Sequence, residues 1–152
     1  MSGSGTLVTF LLGDQVFAVP VEQVREILDR VSTSFLPNAA PDCTGVIDTR
    51  GESIPLIDLV GRLGMPPTEE GPDTRIIIFE ISVNGARRPI GVLASQVLNV
   101  TEIAPDQIEQ APAAAVIGGT ARGLQGLARI AGKLVVLLDM DALFAEPVSP
   151  IA

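Results

Sequence analysis

With 152 residues, the chain is the size of one compact unit or two very small ones, and its net charge of −8 with a pI near 4.4 excludes a binder of phosphate backbones or anionic membranes, which needs a lysine/arginine stripe. Hydrophobic residues make up 47% and the mean hydropathy is +0.43, which excludes a disordered chain. Five Phe without Trp or Tyr require an aliphatic core, and the absence of His removes imidazole nucleophile activation, general-base work, His metal ligation and phosphohistidine chemistry together.

The opening MSGSG has no basic region, and the apolar run Leu7 to Leu12 is broken by Thr9, so no export leader is expected. No apolar run approaches the roughly 20 residues of a membrane helix. The single Cys43 allows no intrachain disulfide and fits a reducing compartment, so a soluble cytoplasmic protein is the expectation.

TLVTFLL and QVFAV flank Gly13-Asp14 and predict a first hairpin. After Pro20, Val24, Ile27, Leu28 and Val31 fall at i, i+3, i+4 and i+7 and predict a helix, with Glu22, Glu26 and Arg30 on its outer side. The block TGVIDTRGESIPLIDLVGRLG, residues 44–64, follows, with Gly51 and Glu52 expected at a turn and Arg50 at its shoulder. Arg50 is either an interface anchor or the partner of a nearby acid. Pro55 removes a backbone donor, which predicts an edge strand or a bulge.

MPPTEEGPD, residues 65–73, reads as a connecting loop. RIIIFEISV and ARRPIGVLA around Asn84-Gly85 predict a second hairpin, and LQGLARI and KLVVLL around Ala131-Gly132 a third. The glycine-rich GGTARG, residues 118–123, lacks the Lys-Ser/Thr of a phosphate loop. No acidic run has the spacing of a calcium loop, and no metal or cofactor is expected. Cys43 has no basic activator near it in sequence and reads as a small structural thiol.

The chain also repeats itself. Gly45, Gly51 and Asp58 recur 81 positions later as Gly126, Gly132 and Asp139, and VPVEQVREI at 19–27 matches VLASQVLNV at 92–100 with an offset of 73. The stretch EQAPAAAVIGGTAR accommodates the difference in offset. Two small β-rich units sharing a core are therefore predicted, since neither could bury much alone. Asp58 and Asp139 each end an apolar strand ahead of a helical turn, where a carboxylate caps free N–H groups. A carboxylate-dependent hydrolase built on Asp48, Glu52 and Asp58 stays open as a remote alternative.

Four collinear blocks, LLGDQVFAVPVEQVREI, TGVIDTRGESIPLIDLVGRLG, RPIGVLASQVLNV and GLQGLARIAGKLVVLLDMDALF, resemble the chemotaxis coupling protein family, CheW. The likeness spans about residues 6–145, and the Arg-Gly turn followed by IPLIDL is its most specific element. It implies a mostly β fold of two tandem five-stranded SH3-like barrels sharing a hydrophobic core, with short helices. The halves would be 6–64 and 75–145, with strand exchange possible between them, joined by 65–74 and flanked by flexible ends at 1–5 and 146–152.

The implied function is that of a non-enzymatic adaptor without cofactor or metal. Its partners would be the regulatory domain of the histidine kinase CheA, the cytoplasmic tips of methyl-accepting chemoreceptors and other CheW copies, with recruitment to membrane receptor arrays but no insertion and no nucleic acid. The resemblance assigns protein-binding roles to Val24, Glu26, Gly45, Arg50, Gly51 and Gly126, and an ion pair between Glu26 and Arg50 is expected to orient that surface. The same fold in a chemosensory-type pathway controlling surface motility or second messengers is the nearest alternative. The chain departs from the family pattern at Asp48-Thr49, where Asn-Leu is usual, and at Ser95, where Asp is usual.

Overall fold

The computed structural model describes residues 5–110 and 123–144. The connection after residue 110, most of the glycine-rich run at 118–123 and both ends of the chain, 1–4 and 145–152, lie outside them. The strands are β1 (Thr6–Leu12), β2 (Gln15–Pro20), β3 (Val24–Leu28), β4 (Cys43–Thr49), β5 (Glu52–Ile57), β6 (Arg75–Val83), β7 (Ala86–Ala94), β8 (Gln96–Glu102), β9 (Leu124–Ile130) and β10 (Lys133–Leu138). One-turn helices α1 (Leu59–Arg62) and α2 (Met140–Leu143) follow β5 and β10. No helix among the described residues is long and apolar enough to cross a membrane.

The three predicted hairpins form at the predicted dipeptides, with Leu12 opposite Gln15, Val83 opposite Ala86 and Ile130 opposite Lys133. Two five-stranded sheets result, ordered β8-β1-β2-β10-β9 and β3-β6-β7-β5-β4. The repeat is visible in these orders. Each sheet takes the first two strands of one half and the last three of the other, and matching strands occupy matching places. The parallel contacts that weld the halves also correspond, Leu137 opposite Ala18 in one sheet and Leu56 opposite Gly91 in the other.

Side-chain alternation along the strands builds three aliphatic clusters. Leu7, Ala18, Ala128, Val135 and Leu137 fill the first sheet, and Ile47, Ile54, Leu56, Ile76 and Ile78 fill the second. The third lies between them, where Val8, Phe10, Leu12 and Phe17 meet Ile77, Phe79, Ile81, Met140 and Leu143. Phe10 and Phe79 touch there with ring centroids 6.3 Å apart. β6 is therefore buried on both faces, and neither sheet could keep its outer apolar surface dry without the other.

The repeated residues have repeated tasks. Asp58 Oδ1 accepts from Gly61 N at 3.0 Å, and Asp139 Oδ1 accepts from Asp141 N at 3.0 Å, so each aspartate caps a helical turn. Gly45 and Gly126 let a passing segment press on the strand. A Cβ on Gly45 would stand 2.8 Å from the Ser34 carbonyl oxygen, and one on Gly126 would stand 2.7 Å from that of Glu109. Those segments make isolated bridges, Ser34 with Val46 and Glu109 with Leu127, beside the edge strands β4 and β9.

Three expectations are corrected. No helix follows Pro20; a single 3-10 turn, Val21–Gln23, leads directly into β3. A short isolated helix is marginal in water, whereas the open edge of β6 offers a ladder, with a register shift between Val24 and Glu26, to β-branched Val24 and Ile27. Pro55 is on neither an edge strand nor a bulge, because β5 lies between β4 and β7. The β7 ladder begins only at Leu56, so Pro55 sits one residue before its strand gains that neighbour. The turn residues are Arg50 and Gly51, while Glu52 already begins β5.

Candidate docking surface

The β4–β5 turn projects Arg50 and Gly51 with φ of 56° and 78°, both left-handed. Glycine adopts this without cost, whereas an L-residue there gives up about 1–2 kcal/mol. Arg50 is nevertheless held in place. Its Nη2 lies 3.0 Å from Glu26 Oε1, and its side chain stays 81% exposed while that of Glu26 is 19% exposed. The ion pair therefore presents a guanidinium outward from a carboxylate seated deeper in the surface.

Glu26 belongs to β3, at the opposite end of the sheet order from β4, so the pair joins the two ends of the curled sheet. Arg25 makes a second tie of this kind, with Nη1 2.9 Å from Glu52 Oε1 and Nε 3.2 Å from Glu80 Oε2. Arg87 reaches Glu80 at 3.4 Å and extends the network over the face. Pairs this exposed contribute up to about 1 kcal/mol each to stability, so their main effect is to set which charges the surface shows and where.

Of the residues singled out from sequence, Glu26, Arg50 and Gly51 come together at this turn. Val24 lies on the same strand two residues before Glu26, half-buried against the shared core. Gly45 is buried lower in β4, where it admits the 33–34 segment. Gly126 belongs to β9 of the other sheet and is the structural counterpart of Gly45, not a neighbour of Arg50. Sequence reasoning missed Arg25 and the exposed apolar side chains of Ile27, Phe35 and Leu36; Phe35 is 83% exposed. The signal available for Phe35 was an aromatic stranded in the polar and proline-rich stretch STSFLPNAAPD.

The acids do not form a reaction centre. Glu52 and Asp58 lie at opposite ends of β5, roughly 20 Å apart at the usual strand rise. Glu52 is paired with Arg25, Asp58 caps α1, and Asp48 is exposed opposite Ser53. Among the described residues no group of three or more His, Cys, Asp or Glu could hold a metal ion. A cavity of about 180 Å³ beside Asp58 is lined also by Thr44, Met65, Thr68, Glu69, Glu70 and Ser95, and in it Asp58 is engaged in capping Gly61. The arrangement suits contact with another protein.

The profile of the CheW-like domain matches residues 6–148 of this sequence. The chain belongs to the CheW-like family. Among curated relatives, a probable chemotaxis protein CheW of Rhizobium etli is 31% identical over 151 residues, covering 99% of this chain and 94% of the relative. Protein FrzA of Myxococcus xanthus is 32% identical over 126 residues, covering 82% and 74%. The crystal structure of scaffolding protein TtCheW from Thermoanaerobacter tengcongensis superposes with a TM-score of 0.77 at 27% identity, covering 93% of this chain and 88% of that one. As a CheW-like protein, the chain is a non-enzymatic chemotaxis adaptor with the double five-stranded fold of its relatives. The hydrolase alternative is thereby withdrawn.

Proposed function

We propose that this CheW-like chain couples the cytoplasmic tips of methyl-accepting chemoreceptors to the regulatory domain of the histidine kinase CheA. The observation carrying this reading is Arg50, an exposed cation at a left-handed turn position, oriented by Glu26 at 3.0 Å. The left-handed turn itself is shared with its counterpart Ala131, φ 52°, so what distinguishes Arg50 is the outward guanidinium that the turn carries. A planar guanidinium with free donors suits carboxylate and carbonyl groups on a helical partner.

In this reading Val24, Glu26, Arg50 and Gly51 form the docking edge, while Gly45 shapes it from beneath and Gly126 shapes the matching strand of the other barrel. The receptor tip lies between the barrels, and the barrel ends meet the kinase or further CheW copies. Repetition of such contacts lets weak interfaces hold an array at the cytoplasmic side of the membrane. Charge reversal tests it. Arg50→Glu or Glu26→Arg weakens binding to receptor-containing membranes and to CheA, and the double reversal restores part of the loss; unchanged binding in both single variants overturns the assignment.

A second reading keeps the same scaffold in a chemosensory-type pathway controlling surface motility or second messengers. Deletion of the gene, scored for swimming, surface spreading and second-messenger level, separates the two outputs.

A further inference from the structure

The two helical turns meet where the repeated halves face each other, and they meet unequally. Arg62 ends α1, and its Nη1 donates at 3.2 Å to the carbonyl oxygen of Leu143, which ends α2 and is its own counterpart 81 positions on. The guanidinium also lies 4.3 Å from the centroid of the Phe144 ring. Its Nε donates to Asp42 Oδ2 at 2.9 Å. One planar cation thus grips the backbone of α2, the ring that follows it and a carboxylate next to the first residue of β4.

The second half keeps the backbone of this arrangement but not its chemistry. Asp58 N donates to Asp42 O at 2.8 Å, and Asp139 N donates to Gly123 O at 2.8 Å, so Gly123 stands where Asp42 stands. A Cβ on Gly123 would lie 2.7 Å from Leu143 Cβ. Close apolar packing therefore replaces the ion pair. α2 is also fastened by Gln23, whose side chain pairs with Asp139 and the Met140 amide, and by Asp141, which accepts at 2.8 Å from Ser82 N of β6, a strand of the same sheet as β4. Only the Arg62 contact continues through Asp42 into β4, the strand that ends at the Arg50 turn.

We infer that Arg62 is a positioning residue: it holds α2 of one barrel against β4 of the other and so sets the angle between the barrels at which the Arg50 surface meets a partner. This inference rests on the docking reading above. Coupling of this kind travels through contacting groups with a defined arrangement, and a remote link is worth roughly 2- to 30-fold in affinity.

The test uses the full chain with Cys43→Ser and pairs of spin labels at exposed positions. Ser53→Cys with Gln125→Cys spans the two sheets, and Ser53→Cys with Arg88→Cys stays within one. In Arg62→Ala the cross-sheet distance distribution broadens, the within-sheet one does not, and binding to receptor-containing membrane vesicles weakens roughly 2- to 30-fold. Arg62→Lys, which keeps the charge but not the fork, shows a smaller change of the same kind and serves if the alanine variant does not fold. An unchanged cross-sheet distribution overturns the inference, as do broadening of both distributions and a broadened distribution with full binding. Failure of Arg50→Glu to alter binding would sink the docking reading instead, and the distance measurement needs no partner.

Discussion

Replacing Gly126 by Ala adds one methyl group to a buried strand position and tests the role of the repeated glycines. The new Cβ would stand 2.7 Å from both the Glu109 carbonyl oxygen and Ile108 Cγ2. That carbonyl is not free to swing away, since Leu127 N donates to Glu109 O at 2.7 Å and Glu109 N donates to Leu127 O at 2.7 Å. Either the bridge opens, at a net loss of about 1 kcal/mol per hydrogen bond, or the strand shifts, which for overpacking costs about 1–3 kcal/mol. For a domain of this length a destabilisation of that size lowers the melting temperature by about 2 to 12 °C. Calorimetry gives the shift, and amide exchange at Glu109 and Leu127 locates it. Gly132→Ala is the control, because nothing lies within 4 Å of its added Cβ although its φ is +80°. It loses stability through the turn alone and leaves those two amides protected. An unchanged melting temperature in Gly126→Ala, or equal deprotection of the bridge in both variants, would refute the reasoning.

Other outcomes follow from the same contacts. Arg50→Asn places a residue tolerant of left-handed φ before Gly51, so thermal stability holds or rises by up to about 1 kcal/mol while partner binding falls; a parallel loss of stability would contradict the assignment of strain to Arg50. Phe79→Ala empties the centre of the shared core and costs about 3–5 kcal/mol in denaturant unfolding, with both sheets lost in one transition. Since each sheet is built from both halves, a chain cut within the 66–72 loop still elutes as one folded particle, and either half expressed alone lacks cooperative unfolding.

The parts of the fold legible in the sequence are those decided by neighbours along the chain. Asn84-Gly85, Gly13-Asp14 and Ala131-Gly132 each supply left-handed backbone between β-rich runs, so the hairpins could be placed to the residue. Asp58 and Asp139 could be read as caps because a cap needs only the next turn. The segment Val24–Val31 misled because its four apolar residues match a helical stripe although only Val24–Leu28 forms a strand, and the deciding partner, β6, lies some fifty residues away. Which half supplies which strand of each sheet is likewise a long-range matter of core burial. At the surface, the charges of Glu26 and Arg50 are visible in the sequence; the resemblance names both positions, and their opposite charges give the expectation that they pair. Arg25 escaped notice because its partners Glu52 and Glu80 come from two other strands of the curled sheet. Arg62 escaped for the same reason, with Asp42, Leu143 and Phe144 drawn from both halves.

Co-sedimentation of CheA with receptor-containing membranes, with and without this protein, tests the adaptor assignment most directly. Kinase should enter the pellet in proportion to added wild-type chain, and much less with Arg50→Glu at equal folded concentration. Kinase recruitment that is the same when the chain is omitted would contradict it.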